Sequence, residues 1–115
     1  MRYLAAFLLF VTLPIAAQTN AKHGPDCSAG WPTNMAQVML KNAGLIRNED
    51  IDFTKTITTR IASEESEVDR WHQVYSVTFF RRTGKRVQAI VVHDASSEEC
   101  SLTDPEGFVV SQHLH

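Results

Sequence analysis

The sequence predicts an α+β fold in which one N-terminal helix packs on a four-stranded antiparallel sheet and a single disulfide ties the chain together. Three observations predict it. Apolar residues recur at spacings of three and four through the thirties and early forties, and the period switches to two after Asp50. The connections between the alternating segments are too short to hold helical crossovers, so neighbouring strands must run antiparallel. Two cysteines, Cys27 and Cys100, bracket most of the chain. At 115 residues there is one domain at most. A composition 43% hydrophobic and 21% charged excludes disorder, and a formal charge of −2 lacks the basic footprint of a nucleic-acid binder. Two cysteines exclude a four-thiolate zinc site, and no cofactor is expected.

Residues 1–17 read as an export signal. Arg2 forms the charged start, Leu4 to Ile15 the apolar run, and Ala16-Ala17 the small residues before cleavage. About twelve apolar residues span roughly 18 Å as a helix, short of the ~30 Å hydrocarbon core of a bilayer, so a cleaved signal is expected rather than a membrane anchor. Cleavage removes Arg2 and no carboxylate, leaving the remainder more acidic. Residues 18–30 form an N-terminal segment carrying Cys27, and 31–115 the single α+β domain. In an oxidising compartment the two cysteines pair. The bridge would close a loop of about 73 residues, worth roughly 4.4 kcal/mol in the chain-entropy treatment. Glu98 and Glu99 precede Cys100 and disfavour its thiolate, which argues against a nucleophile there.

The helix is expected to start at Pro32 or Thr33, with Asn34 as cap and Gln37 three residues on, and to stop at Gly44. Met35, Val38, Met39, Asn42 and Ile46 mark its stripe, with Trp31 packing on the first turn. The first strand is placed from Phe53 through Ile61, with Phe53, Ile57 and Ile61 on one face. The second, Trp71 to Phe80, sets Trp71, Tyr75, Val77 and Phe79 against His72, Ser76 and Thr78. Val87 to His93 is apolar on both faces, as a central strand would be, and Phe108 to Leu114 closes the sheet. Between the second and third strands Arg81-Arg82-Thr83-Gly84-Lys85 is a tight turn with Gly84 at the positive-φ position. The expected core is Val77, Phe79, Val87, Ala89, Val91, Ile57 and Val110 against Val38, Met39 and Ile46.

An up-and-down order brings the first and third connections to one end of the sheet. Nine of the 13 carboxylates then gather there: Glu64, Glu65, Glu67 and Asp69 from one connection, and Asp94, Glu98, Glu99, Asp104 and Glu106 from the other. Arg81, Arg82, Lys85 and Arg86 take the opposite end, so a strong dipole is expected. Charged hairpin tips also keep a sheet soluble and guard its edges, which is the structural reading of the same residues. The functional reading makes Glu64, Glu65, Glu67, Asp69, Glu98 and Glu99 a partner-binding surface. The carboxylates lack the alternating spacing of a calcium loop. If the Thr83-Gly84 turn sets the register, His72 falls near Ala95 and diagonally close to His93, while His113 and His115 form a separate pair. Ordinary strand histidines are expected there rather than a metal centre. A triad of Ser76, His72 and Asp94 has no nucleophile elbow to support it, and no catalytic signature appears.

Two stretches carry a resemblance: Trp31-Pro32-Thr33-Asn34-Met35-Ala36 running on to Lys41-Asn42-Ala43-Gly44-Leu45, and Asp94-Ala95-Ser96-Ser97-Glu98-Glu99-Cys100-Ser101. They resemble small exported proteins of proteobacteria over most of the chain after residue 17, which implies periplasmic residence. The overall plan also resembles periplasmic inhibitor and immunity proteins that block lysozymes or peptidoglycan-cleaving effectors. That likeness is one of architecture. It implies a non-enzymatic protein-binding module whose partner is a secreted or periplasmic protein, such as a basic peptidoglycan hydrolase, with no nucleic acid and no membrane after signal cleavage. A small-ligand or envelope-binding module is the alternative expectation.

Overall fold

A computed structural model describes residues 23–110. The expected signal at 1–17, residues 18–22, and Leu114 with the His113 and His115 pair lie outside the described residues. Within them, helix α1 (Trp31–Asn42) leads through two 3₁₀ turns, Asn48–Asp50 and Phe53–Lys55, into β1 (Ile57–Glu67). Then come β2 (Arg70–Phe80), β3 (Arg86–Ala95) and β4 (Glu106–Val110). The strands pair antiparallel in the order β1-β2-β3-β4. The fold is the expected α+β arrangement of one helix on a four-stranded sheet, and Cys27 and Cys100 are bonded, with S–S 2.03 Å.

The helix begins earlier than expected. Trp31 is its first residue and Gly30 stands at the cap without a side-chain bond, so Asn34 is not the cap but an interior residue whose N–H donates to the Gly30 carbonyl at 3.0 Å. Pro32 fits because the first turn needs no N–H from it. The buried stripe is Pro32, Ala36 and Leu40, continued by Ile46 beyond the helix. Val38, placed in the core by its hydrophobicity, is 45% exposed, and Met39 is only partly buried. The small Ala36 at the centre of the stripe lets the helix backbone approach the sheet, and that rotates the larger Met35 and Val38 to the flanks.

The parity of β2 is the expected one. Trp71, Tyr75, Val77 and Phe79 all face inward, joined by Gln73, and in β3 Ala89, Val91, His93 and Ala95 lie on the same side. Toward one end of this inner face Val77, Phe79, Ala89 and Val91 meet Ala36, Leu40, Ile46 and Ile51 of the helix side. Val87 packs at the margin.

The first strand is corrected in both start and parity. Residues 53–55 form a 3₁₀ turn because the Asp52 carboxylate accepts from Thr54 N and Oγ1, at 3.2 and 2.6 Å. Ile57 and Ile61 are each 55% exposed rather than buried. Thr58 and Arg60 point inward instead, paired opposite Val77 and Tyr75, because both have polar partners there. Thr58 Oγ1 lies 2.6 Å from Thr33 Oγ1 on the helix, and Arg60 reaches backbone carbonyls before the helix. A bulge between Arg60 and Ala62 shifts the pairing by one. Val110, also expected in the core, lies on the outer face at 37% exposure.

Phe79, with no exposed surface and an edge-to-face contact to Phe53, should lose about 3–5 kcal/mol on replacement by Ala, whereas Ile57→Ala should cost under about 0.5 kcal/mol. Urea unfolding of the two variants checks this. Opening the bridge with Cys27→Ser plus Cys100→Ser should cost about 4 kcal/mol by the same measurement.

Candidate functional site

The chain from Gly24 to Ala29 forms neither strand nor helix, and side chains on the inner face of the sheet satisfy much of its backbone. Arg60 donates to the carbonyls of Gly24 and Pro25 at 3.2 and 2.7 Å. Gln73 donates to the Pro25 carbonyl at 2.7 Å and to Ser63 Oγ at 3.0 Å, while Ser63 itself donates to the His23 carbonyl at 2.6 Å. Tyr75 Oη accepts from Cys27 N and donates to Gln73 Oε1, both at 2.8 Å. Gln73 and Tyr75 have no exposed surface, and each buried polar atom in this chain of bonds is matched. Gly24 lies flat on the Trp71 indole. A Cβ there would sit 2.5 Å from the ring, and the backbone φ of +74° also demands glycine.

His93 completes this layer. It stacks on Tyr75 with ring centroids 5.4 Å apart, and its Nδ1 donates to the Asp94 carbonyl at 3.2 Å. Nε2 is buried and has no partner among the described residues. Burial therefore lowers the His93 pKa and keeps the ring neutral, while burial of Tyr75 raises its hydroxyl above the ordinary range.

Beside this layer, at the end of the sheet, lies a cleft of about 740 Å³ lined by Gly24, Pro25, Asp26, Glu65, Val68, Asp69, Trp71 and Ser97. Three carboxylates surround an indole edge. Val68 and Asp69 form the two-residue tip of the β1–β2 hairpin, with Asp69 at φ +54°. The Asp69 carboxylate accepts from Ser97 N at 3.0 Å and Ser97 Oγ at 2.8 Å, which locks the first connection to the third. Asp26 accepts from Ser28 N at 3.0 Å, and that backbone bond holds its carboxyl below the usual range.

Of the residues expected to form a partner surface, Glu65 and Asp69 line the cleft. Glu64, Glu65 and Glu67 belong to β1 itself, which runs further than expected, and its alternation together with a second register shift between Glu65 and Glu67 divides them. Glu65 pairs opposite inward-facing Trp71, whereas Glu64 opposite His72 and Glu67 opposite Arg70 lie on the outer face. Glu98 and Glu99 sit in the β3–β4 connection on a turn in which both N–H groups approach Ser96 Oγ. Asp26 joins the site unforeseen. Its signal was its neighbour: a bond from Cys27 to Cys100 brings the preceding residue to the acidic end.

The basic end is less polarised than expected. Arg81 donates to the Leu45 carbonyl and Arg82 to the Glu49 carbonyl, at 2.8 and 3.0 Å, and Glu49, Asp50 and Asp52 share that end. The register also corrects the histidines. His72 pairs with Asp94 and Gln73 with His93, one residue from the expected alignment, so the two histidines occupy opposite faces. Among the described residues no group of three or more His, Cys, Asp or Glu could hold a metal ion. His72 Nδ1 lies 2.7 Å from Asp94, which Arg70 Nε also bonds at 2.9 Å. Although burial alone would raise the Asp94 carboxyl, these two bonds hold it low. Ser76 is four residues along the strand from His72, roughly 13 Å, and its hydroxyl accepts from Gln88. The Ser76, His72 and Asp94 triad is not assembled. Among the described residues no helix is long and apolar enough to cross a membrane.

A scan of protein-family models and searches of curated proteins and solved structures found no match to this chain.

The neutral, buried His93 sets a pH dependence. Its folded pKa lies below the unfolded value of about 6.5, so unfolding takes up a proton below that pH. Stability is expected to be full above about pH 6.5 and to fall as pH drops toward the folded pKa. Asp26 and Asp94 should add a separate loss only below about pH 4. Thermal melts of His93→Phe, which keeps the stacked ring, should lack the upper step and retain the lower one.

Proposed function

We propose that this chain is an exported, periplasmic or secreted, protein-binding module that inhibits or gives immunity to a cell-wall-degrading enzyme by filling its cleft. The observation that carries the reading is the rigid acidic tip. Val68 is 97% exposed at the end of the β1–β2 hairpin, Glu67 and Asp69 flank it, and the cleft over Trp71 opens beside it. A tight two-residue turn, pinned through Asp69 to Ser97, loses little conformational entropy on binding. The tip enters the partner's cleft, and the carboxylates steer the approach of a basic surface. A basic side chain of the partner fits the cleft, with its charge between Glu65 and Asp26 and its stem along Trp71. The Cys27–Cys100 bond accords with an oxidising compartment. A small-ligand module is the second reading. It is favoured by the cleft's volume, within the ~300–1,000 Å³ of small-molecule sites.

Surface plasmon resonance against purified basic peptidoglycan hydrolases, including lysozyme, tests the proposal. Glu65→Lys, Glu67→Lys and Glu99→Lys together should slow association at least about tenfold at low salt, and added salt should slow the wild type likewise. Val68→Arg should abolish inhibition. Lys85→Glu is the control at the opposite end, because Arg81 and Arg82 hold the helix connection and cannot serve. Absence of any hydrolase partner, with Trp fluorescence quenched by a small cationic ligand, would favour the second reading.

A further inference from the structure

The outer face of the sheet is uncovered by any described residue, and its residues form rows across the strands. The central row is Thr59, Ser76, Ile90 and Phe108, with Ala62, Val74, Val92 and Glu106 in the row on one side and Ile57, Thr78, Gln88 and Val110 on the other. Ile57 and Phe108 are each 55% exposed. Apolar side chains alternate with Thr, Ser and Gln across this face, Glu106 stands at its β4 edge, and charge closes the two ends unequally: Asp94 with Glu64 at one end and Arg86 at the other. We propose that this face binds a second copy of the chain, the two sheets stacking with their strands antiparallel across a two-fold axis that runs along the central row. The surface is independent of the acidic cleft, which opens on the other side of the sheet.

Two features select a second copy over a foreign protein. The first is charge. Residues 86, 88, 90, 92 and 94 of β3 all point outward, so a two-fold at Ile90 lays Arg86 of each subunit toward Asp94 of the other. Asp94 already accepts from Arg70 and His72 of its own chain, so Glu64 in the same row is the carboxylate left for the incoming Arg86. One operation brings both ends together, with Ile90 and Phe108 meeting their own copies in the middle. The second is area. Four strands at about 4.8 Å spacing and roughly 25 Å of strand length present about 500 Å² per subunit. Two such faces reach the ~1,000 Å² that a specific interface needs. Aligned sheet packing of this kind is a common way to cover an apolar sheet face.

Sedimentation equilibrium of the purified protein from micromolar to submillimolar concentration tests the proposal. Wild type should dimerise, more weakly at high salt. Ile90→Lys and Ile90→Glu, each placing like charges together on the axis, should weaken the dimer about a hundredfold or more when alone. An equimolar mixture of the two should dimerise again. Arg86→Glu, at an exposed position that leaves the monomer's core untouched, should weaken association about tenfold. A wild type monomeric throughout, or a dimer indifferent to Ile90→Lys, to Arg86→Glu and to salt, overturns the proposal.

Discussion

The constraint on which the rest depends is the need to satisfy a stretch of irregular backbone laid across a sheet. Residues 24–29 form neither helix nor strand, and burying unpaired carbonyls costs a few kcal/mol each. Arg60, Ser63, Gln73 and Tyr75 therefore occupy positions on the inner face where a sheet of this kind would otherwise carry Val or Ile. The inner face divides as a result. One half is an apolar core under the helix, and the other is a hydrogen-bonded layer under the N-terminal segment. The disulfide fixes that segment to the loop after β3, holding donors and acceptors in register. Without the bridge, the entropy of the segment would compete directly with a set of bonds that each contribute only about 1 kcal/mol net.

Much of this fold was legible because it rests on periodicity. The parity of β2, the tight turn at Gly84, the antiparallel order and the pairing of Cys27 with Cys100 each follow from one local or compositional rule. The departures share a cause. Hydrophobicity alone puts Ile57 inward, whereas the inward face of β1 is decided by Thr58 meeting Thr33 of the helix and by Arg60 meeting the carbonyls of Gly24 and Pro25, and no window of the β1 sequence contains that information. The helix stripe was misread for a related reason: Ala36 contributes little to a count of large apolar residues and yet has no exposed surface. The histidine register moved by one, and in a strand one residue exchanges the faces. His93 is buried against Tyr75 while His72 stands outside.

The candidate site was legible in its location and not in its membership. Chain order puts the first and third connections together, and the bonds from Ser97 to Asp69 join them physically. Alternation along β1 divides Glu64 from Glu65, and a register shift after Glu65 turns Glu67 away from it too, although sequence proximity groups all three. Charge that seems to form one patch becomes two, one facing the cleft and one rimming the outer face.

Charge and hydrogen-bonding capacity also separate at this end. Asp69 and Asp26 line the cleft, yet both already accept protein bonds from Ser97 and Ser28. Their negative field persists at distance while their capacity for close contact with a partner is partly taken up. Glu65 has no such attachment among the described contacts. The two aspartates therefore shape the cleft and set its potential, and Glu65 is the carboxylate left to engage a cation directly. That division gives recognition a rigid frame and one adaptable contact. Such an arrangement favours rapid capture by long-range attraction and leaves affinity to how well the tip at Val68 fits the cavity it enters.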